Sequence, residues 1–347
     1  MNNLPFANRL AAFITLGQYL EKLPTDAELI AGIYDRVNYQ NAWFTPENVL
    51  GAINGMASLL SARELENWAN SYPAEPLIQK KVGVVMAGNL PFVGFHDALC
   101  VLLSGHILKA RFSSTDTVLP MFVLAKLIEI EPGFAERVEI SEQLLKPEAI
   151  IATGGDNTGR YFDYYFGKYP SIIRRNRNSL ALISGKETKE ELEGLAKDII
   201  QYFGLGCRSI SQVLVPEGYN WTPLFEACES WNEMRHNHKY FNNYEYQKSI
   251  LLINKVAHWD NGFLMITENE RISSAISVLH FLPYKQPAEA LAHIKSHQEK
   301  IQCIVGNAAE WLGADDLQII PFGTAQTPSL YHYADGIDTM KWLSELV

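Results

Sequence analysis

The first eighty residues carry apolar positions at helical spacing. In "LPFANRLAAFITLGQYLEKL" the large apolar side chains recur every three or four residues, as one face of a helix requires. "WFTPENV" sets Thr45 as a cap ahead of Pro46 at a first helical position, and "SARELENW" offers a capping box from Ser61 and Glu64. From Lys81 the pattern changes to short runs rich in valine and isoleucine, separated by amphipathic stretches. Runs at 82–87, 107–112, 137–140, 149–152 and 180–183 predict strands; stretches at 95–103, 117–130 and 157–165 predict helices. Beyond Gly185 the alternation continues, with helices at 189–203, 223–237 and 287–298 and strands at 212–215, 263–266, 275–281 and 302–305. Strands alternating with helices imply βαβ units and parallel sheets, an α/β fold. The turn at Ser184-Gly185 is the predicted division between two domains.

Composition narrows the picture. A chain of 347 residues, 47% hydrophobic and 20% charged, has the make-up of a globular protein with room for two domains. Its net charge of −10 argues against a general nucleic-acid binder, so an anionic ligand would need a local basic pocket. No amino-terminal stretch reads as a signal peptide, and the most apolar region, 82–108, is broken by Asn89, Pro91, His96 and Asp97, which makes it a poor membrane span. Four cysteines at 100, 207, 228 and 303, with no CxxC, match neither a disulfide framework nor a zinc site. The expected location is the cytoplasm.

Among the cysteines, Cys207 stands apart. "YFGLGCRSIS" places it between Gly206 and Arg208, where a helix should be ending: a bare backbone on one side and a fixed positive charge on the other make a thiol reachable and favour its thiolate. Cys100, in "ALCVLL", reads as core, and Cys228 and Cys303 show no activating context. Two strand ends carry turns of interest. Gly88-Asn89 leaves the first strand, where the glycine lets a ligand approach and the asparagine amide offers donors to an oxyanion; taken alone, the same residues more often make a plain turn before a helix. Thr153-Gly154-Gly155 leaves another strand ahead of a helix, an anion site suited to pyrophosphate, although Asp156 beside it would repel one. Lys109 ends a strand near a Ser/Ser/Thr cluster, either holding a ribose or phosphate or simply solvated. Arg174, Arg175 and Arg177 form a basic run, read as a phosphate site or a solvated face. His236 and His238 have no partner at metal-ligand spacing, and no GxSxG elbow is present.

The order of these pieces is more specific than any one of them. A strand ending in "AGNLPF", a strand "ILKA", the turn "TGGDNTGR", then "GLGC" and a closing "IPFG" resemble the aldehyde dehydrogenase superfamily across residues 82–323. Within it the chain is most similar to the acyl-CoA reductase branch, the LuxC-like enzymes that make fatty aldehydes. The resemblance implies a Rossmann-like cofactor domain and a smaller α/β catalytic domain. Residues 1–184 would hold the helical region and the nicotinamide site, 185–323 the catalytic cysteine, and 324–347 a tail. It also implies Cys207 as nucleophile, Asn89 as oxyanion donor, and Gly88, Lys109, Thr153, Gly154 and Gly155 against the cofactor.

The chain departs from the pattern in two places. "ALISGK" puts Leu182 where a general-base glutamate would stand, and the ribose-gripping Glu-x-Phe-Gly-Pro has no counterpart around "RISSAISV". The implied reaction is reduction of a fatty acyl-CoA thioester to the aldehyde, with NADPH preferred over NADH through Lys109. The implied partners are acyl-CoA or another acyl thioester, an acyl-activating or acyl-transferring enzyme, and further copies of the chain. Two readings of other classes stay open: a cofactor-independent acyltransferase or thioesterase using Cys207, and a catalytically silent binding subunit.

Overall fold

The computed structural model describes residues 4–144, 146–154, 162, 166–311, 314 and 316–347. Four helices open the chain: α1 (Phe6–Lys22), α2 (Ala27–Gln40), α3 (Pro46–Leu59) and α4 (Ala62–Ala69). Thr45 caps α3 by accepting from the Asn48 N–H at 3.3 Å, with Pro46 at the first helical position as its sequence predicts. The capping box predicted for α4 does not form; Ser61 occupies the cap position without a side-chain hydrogen bond. A reciprocal box appears instead at Thr188 and Glu191.

The chain divides into two compact units, Met1–Asn176 with Ser329–Val347, and Arg177–Pro328. The first holds β1 (Lys81–Val85), α5 (Phe95–Leu103), β2 (Ile107–Arg111), α6 (Val118–Ile130), β3 (Val138–Ile140), β4 (Ala149–Thr153) and β5 (Ser171–Arg174). The five strands form a parallel sheet in the order β3-β2-β1-β4-β5. Alternation along the strands assigns the faces. Val82, Val84, Leu108 and Ala110 enter the large core shared with the amino-terminal helices, whereas Val85, Ile150 and Ala152 pack with Phe162 on the opposite side. The predicted helix at 157–165 lies, apart from Phe162, outside the described residues.

The second unit is built on β6 (Asn178–Leu182), α7 (Lys189–Ile200), β7 (Ile210–Pro216), α8 (Thr222–Cys228), α9 (His238–Ile253), β8 (His258–Asp260), β9 (Met265–Glu268), β10 (Val278–Tyr284), α10 (Pro287–Ser296), β11 (Ile301–Val305) and β12 (Ile319–Ile320). Its sheet runs β12-β11-β6-β7-β10-β9-β8, parallel except where the edge strand β8 meets β9. The predicted helix at 223–237 is α8 followed by a 3₁₀ segment, Glu229–His236, and the helix α9 after it went unpredicted.

The division differs from the predicted one at both ends. The strand before Ser184-Gly185 is β6, and it bonds to β7 and β11, both later in the chain, so the change of unit falls at Asn176. A local apolar run cannot reveal which sheet a strand joins. At the other end, 329–347, with its helix α11 (Thr339–Ser344), belongs to the first unit. Arg174 fixes it there: its guanidinium pairs with Asp97 at 2.6 Å and donates to Thr339 Oγ1 at 2.9 Å and to the Ala334 carbonyl. The arginine that opened the basic run is therefore a buried structural group, not a phosphate ligand.

Candidate active site

In the first unit the predicted cofactor residues share one half of a sheet. β1 is the strand from which the chain order departs in both directions, to β2 on one side and β4 on the other, and the crevice at such a switch point is where α/β sheets take ligands. Gly88 and Asn89 follow the carboxyl end of β1, while Thr153 ends β4 and Gly154 follows it. The Gly154 N–H is committed to the Arg174 carbonyl at 3.3 Å, continuing the ladder to β5. Gly155 lies outside the described residues.

Gly88 is required by its own chain. A Cβ there would stand 2.4 Å from Thr115 Oγ1 and 2.7 Å from Ser113 Oγ, so the bare side faces the turn after β2. Thr115 Oγ1 and Asn41 Nδ2 both donate to the Gly88 carbonyl, at 3.0 and 3.1 Å. The Ser/Ser/Thr cluster thus clamps one turn to another, where the sequence pointed to a ribose. Asp116, which ends this cluster, accepts from the Phe92 N–H at 3.2 Å and holds that residue left-handed at φ 62°. Its other carboxylate oxygen is buried without a partner, and burial pushes its pKa up to about 7. The exposed Asn89 stands between these two held positions, Gly88 and Phe92. Asn41 and Asp116 were not foreseen, because nothing local marks a residue whose partner is distant in sequence.

Lys109 sits mid-strand in β2, registered with Gly83 and Glu139. Its ammonium lies 3.5 Å from Glu139, which Lys81 also meets at 2.6 Å. These two cations hold the Glu139 carboxyl below its usual range, the Lys81 hydrogen bond being the largest cause. Ammonium and carboxylate groups on one part-exposed sheet face form a donor and acceptor set of the kind that suits ribose hydroxyls.

In the second unit Cys207 is reached through an unusual backbone. α7 was predicted to run to Phe203 but ends at Ile200, because Tyr202, Phe203 and Gly204 follow with φ of 55°, 60° and 70°. Left-handed aromatic residues cost on the order of 1–3 kcal/mol each. Both side chains are buried, and Phe203 packs its ring 5.8 Å from Tyr240, which offsets that cost. The chain then makes a four-residue turn closed by the Ser209 N–H on the Gly206 carbonyl at 3.0 Å, with Cys207 and Arg208 at its apex. Of the four cysteines only Cys207 is exposed. Burial pushes the Cys228 thiol up to about 12 and raises those of Cys100 and Cys303 as well.

Several groups hold the turn. Ser179 Oγ donates to the Cys207 carbonyl at 2.9 Å, and Gln326 Nε2 donates to Ser209 Oγ at 3.1 Å. Arg208 Nε donates to the Ala325 carbonyl, which aims its charge along the strap at 323–326. The "ERISS" segment also comes close: Ser211, one residue into β7, donates to the Ile272 carbonyl at 2.8 Å. The turn lies at the amino end of β7, opposite to the carboxyl-end rule for Rossmann ligands. Leu182 is not beside it. It ends β6 fully buried, registered with Leu214, roughly 10 Å along the strand from Ser179. The expectation that Leu182 shapes the nucleophile's surroundings is therefore withdrawn.

No family model and no curated protein sequence matches the chain. Solved structures do. Aldehyde dehydrogenase 21 from Physcomitrella patens, in complex with the reaction product succinate, aligns with a TM-score of 0.72 over 97% of this chain and 83% of its own, at 11% identity. An indole-3-acetaldehyde dehydrogenase complexed with NAD+ aligns at 0.66 over 89% and 74%, at 14% identity. An E. coli NADP-dependent enzyme aligns at 0.70 over 94% and 79%, at 11% identity. The fold is that of the aldehyde dehydrogenases. This aldehyde dehydrogenase-like fold is the one that the order of motifs along 82–323 implied, at only 11–14% identity to these structures. Among the described residues, no helix is long and apolar enough to cross a membrane.

Proposed function

We propose that the protein is a nicotinamide-dependent reductase that converts an acyl-CoA thioester to the aldehyde through an acyl-enzyme on Cys207. The observation that carries this reading is the turn itself, which presents the one exposed thiol of the chain at the apex of a tethered loop. Tethering restrains the nucleophile before substrate arrives, so little ordering is left to be done at the moment of attack. The thiolate of Cys207 attacks the thioester carbonyl carbon, and the carbonyl electron pair moves to oxygen. The resemblance implies the Asn89 amide and the Cys207 N–H as donors to that oxygen, and one such donor would be worth about 3–4 kcal/mol. Collapse of the tetrahedral species expels coenzyme A as its thiolate and leaves the acyl group on Cys207.

A reduced nicotinamide, when bound, would supply the hydride that takes the acyl group to the aldehyde level, and cleavage of the C–S bond would then release the aldehyde and return the Cys207 thiolate. Lys109, Glu139 and Thr153 would hold that cofactor. Lys109 favours the 2′-phosphate of NADPH and Glu139 opposes it, so the NADPH preference read from the sequence is a narrow one.

Asp198, the buried carboxylate that holds the strap, has both oxygens engaged by backbone N–H groups, so it is not set to activate water. The test is nicotinamide absorbance after addition of acyl-CoA, with wild type and Cys207→Ala. Substrate-dependent oxidation of the cofactor by wild type alone supports the proposal. Coenzyme A release with no cofactor consumed would replace it with a thioesterase or acyltransferase, and no turnover at all would leave a binding subunit.

A further inference from the structure

Residues 323–326 reach from helix α7 to the nucleophile turn, and one buried carboxylate holds them. Asp198, in the last turn of α7 and fully buried, accepts from the Gly323 N–H at 2.6 Å and from the Ala325 N–H at 3.0 Å. Lys197 donates to the Gly323 carbonyl at 3.2 Å from the same helix. The backbones meet at a pair of glycines. A Cβ on Gly194 would stand 2.9 Å from the Phe322 carbonyl carbon, and one on Gly323, at φ +82°, 3.1 Å from the Gly194 Cα. This strap then hands on two tethers. The Ala325 carbonyl takes the Arg208 guanidinium, and Gln326 donates to Ser209 Oγ, which itself accepts from the Gly206 N–H at 3.3 Å.

We infer that Asp198 is a positioning residue for the nucleophile, acting through the 323–326 strap on the turn that carries Cys207. The role rests on the proposed reading of Cys207 as the attacking group. A carboxylate is suited to it because two oxygens can accept from two N–H groups that point the same way, which a single carbonyl cannot do. Burial raises the Asp198 carboxyl to about 6, and the two N–H donors, Lys197 and Arg208 oppose that rise. Besides Lys197 and Arg208, the thiol of Cys303 on β11 faces the same charge. Protonation removes one acceptor, as Asp198→Asn would, so the strap loosens toward acid.

The experiment compares wild type, Asp198→Asn and Gln326→Ala by hydrogen exchange and by single-turnover acylation of Cys207 with acyl-CoA. Asp198→Asn should speed exchange in both 321–327 and 204–211 and slow acylation about 10- to 100-fold with little change in acyl-CoA affinity. The ratio of mutant to wild-type acylation should approach one below about pH 5, where the wild-type carboxyl is itself protonated, and fall above about pH 7. Taking the ratio cancels the titration of the thiol. Gln326→Ala, which cuts only the last tether, should loosen 204–211 and leave 321–327 unchanged; it carries the test if Asp198→Asn folds poorly. Unchanged exchange at 204–211 in both variants, or a rate ratio independent of pH, overturns the inference. If wild type forms no Cys207 adduct, the proposed reaction fails, while the exchange measurements still decide whether the strap governs the turn.

Discussion

Ser179 Oγ lies 2.9 Å from the carbonyl oxygen of Cys207 and 3.0 Å from the sulfur of Cys303. One buried hydroxyl on β6 therefore joins the main chain of the exposed thiol to a second, half-buried one. It also accepts from the Cys303 N–H at 3.1 Å, where the register of β11 against β6 shifts. Removing it takes one tether from the Cys207 carbonyl and leaves the Cys303 N–H without its acceptor.

Ser179→Ala should accordingly slow acylation by about tenfold and cost on the order of 1–3 kcal/mol of stability. Single-turnover acylation and urea unfolding measure the two effects separately. Normal acylation with lowered stability would show that Ser179 serves the sheet and not the turn.

The fold was largely legible because its signals are local. Apolar runs, Thr45-Pro46 and the strand-turn sequences each speak for a few residues, and most strands and helices of the alternating region lie where they imply. Long-range choices were not legible. The run ending at Ile183 reads as a strand but does not say that its partners are β7 and β11, and nothing in "YHYADGIDTMKWL" announces that the tail returns to the first unit. The site divides the same way. The exposed turn at Cys207 was marked by its neighbours in sequence, whereas Ser179 and Gln326 reach it from far along the chain. Leu182 was misplaced because "ALISGK" was aligned by letters, without the register that sets it at the far end of β6.

Arg174 and Asp97 bind the carboxyl-terminal tail into the first unit. Arg174→Ala leaves Asp97 buried and unpaired, so it should destabilise the protein by about 3–5 kcal/mol. Exchange should rise across 329–347, and acyl-CoA affinity should not fall selectively. A selective loss of affinity for coenzyme A with stability intact would restore Arg174 as a phosphate contact.

Asp116 sets a pH dependence with a definite sign. Its folded pKa of about 7 lies above the ordinary carboxylate value, so between the two the folded state binds the extra proton and stability falls as pH rises. Asp116→Asn cannot titrate. Its stability relative to wild type should climb by about 1.4 kcal/mol per pH unit through that window and level off above it. Urea unfolding from pH 4 to 8 measures this, and parallel curves for the two proteins would contradict it.

Glu139 faces Lys109 where the cofactor ribose is proposed to bind. Neutralising it in Glu139→Gln removes one negative charge from beside Lys109 and Lys81, so NADPH should gain affinity over NADH. Lys109→Ala should weaken both, NADPH more. Titration of the two cofactors by fluorescence checks this, and identical shifts for both would remove this face from 2′ discrimination.

The most direct test of the account is to add acyl-CoA without nicotinamide, follow the protein by intact mass, and then add NADPH. One acyl group should appear on Cys207 with release of one coenzyme A, and persist with little free acid. On addition of NADPH the adduct should discharge as aldehyde while the cofactor is oxidised. Rapid loss of the adduct as free acid before NADPH is added, or an acyl group on Cys100, Cys228 or Cys303 in place of Cys207, would contradict the account.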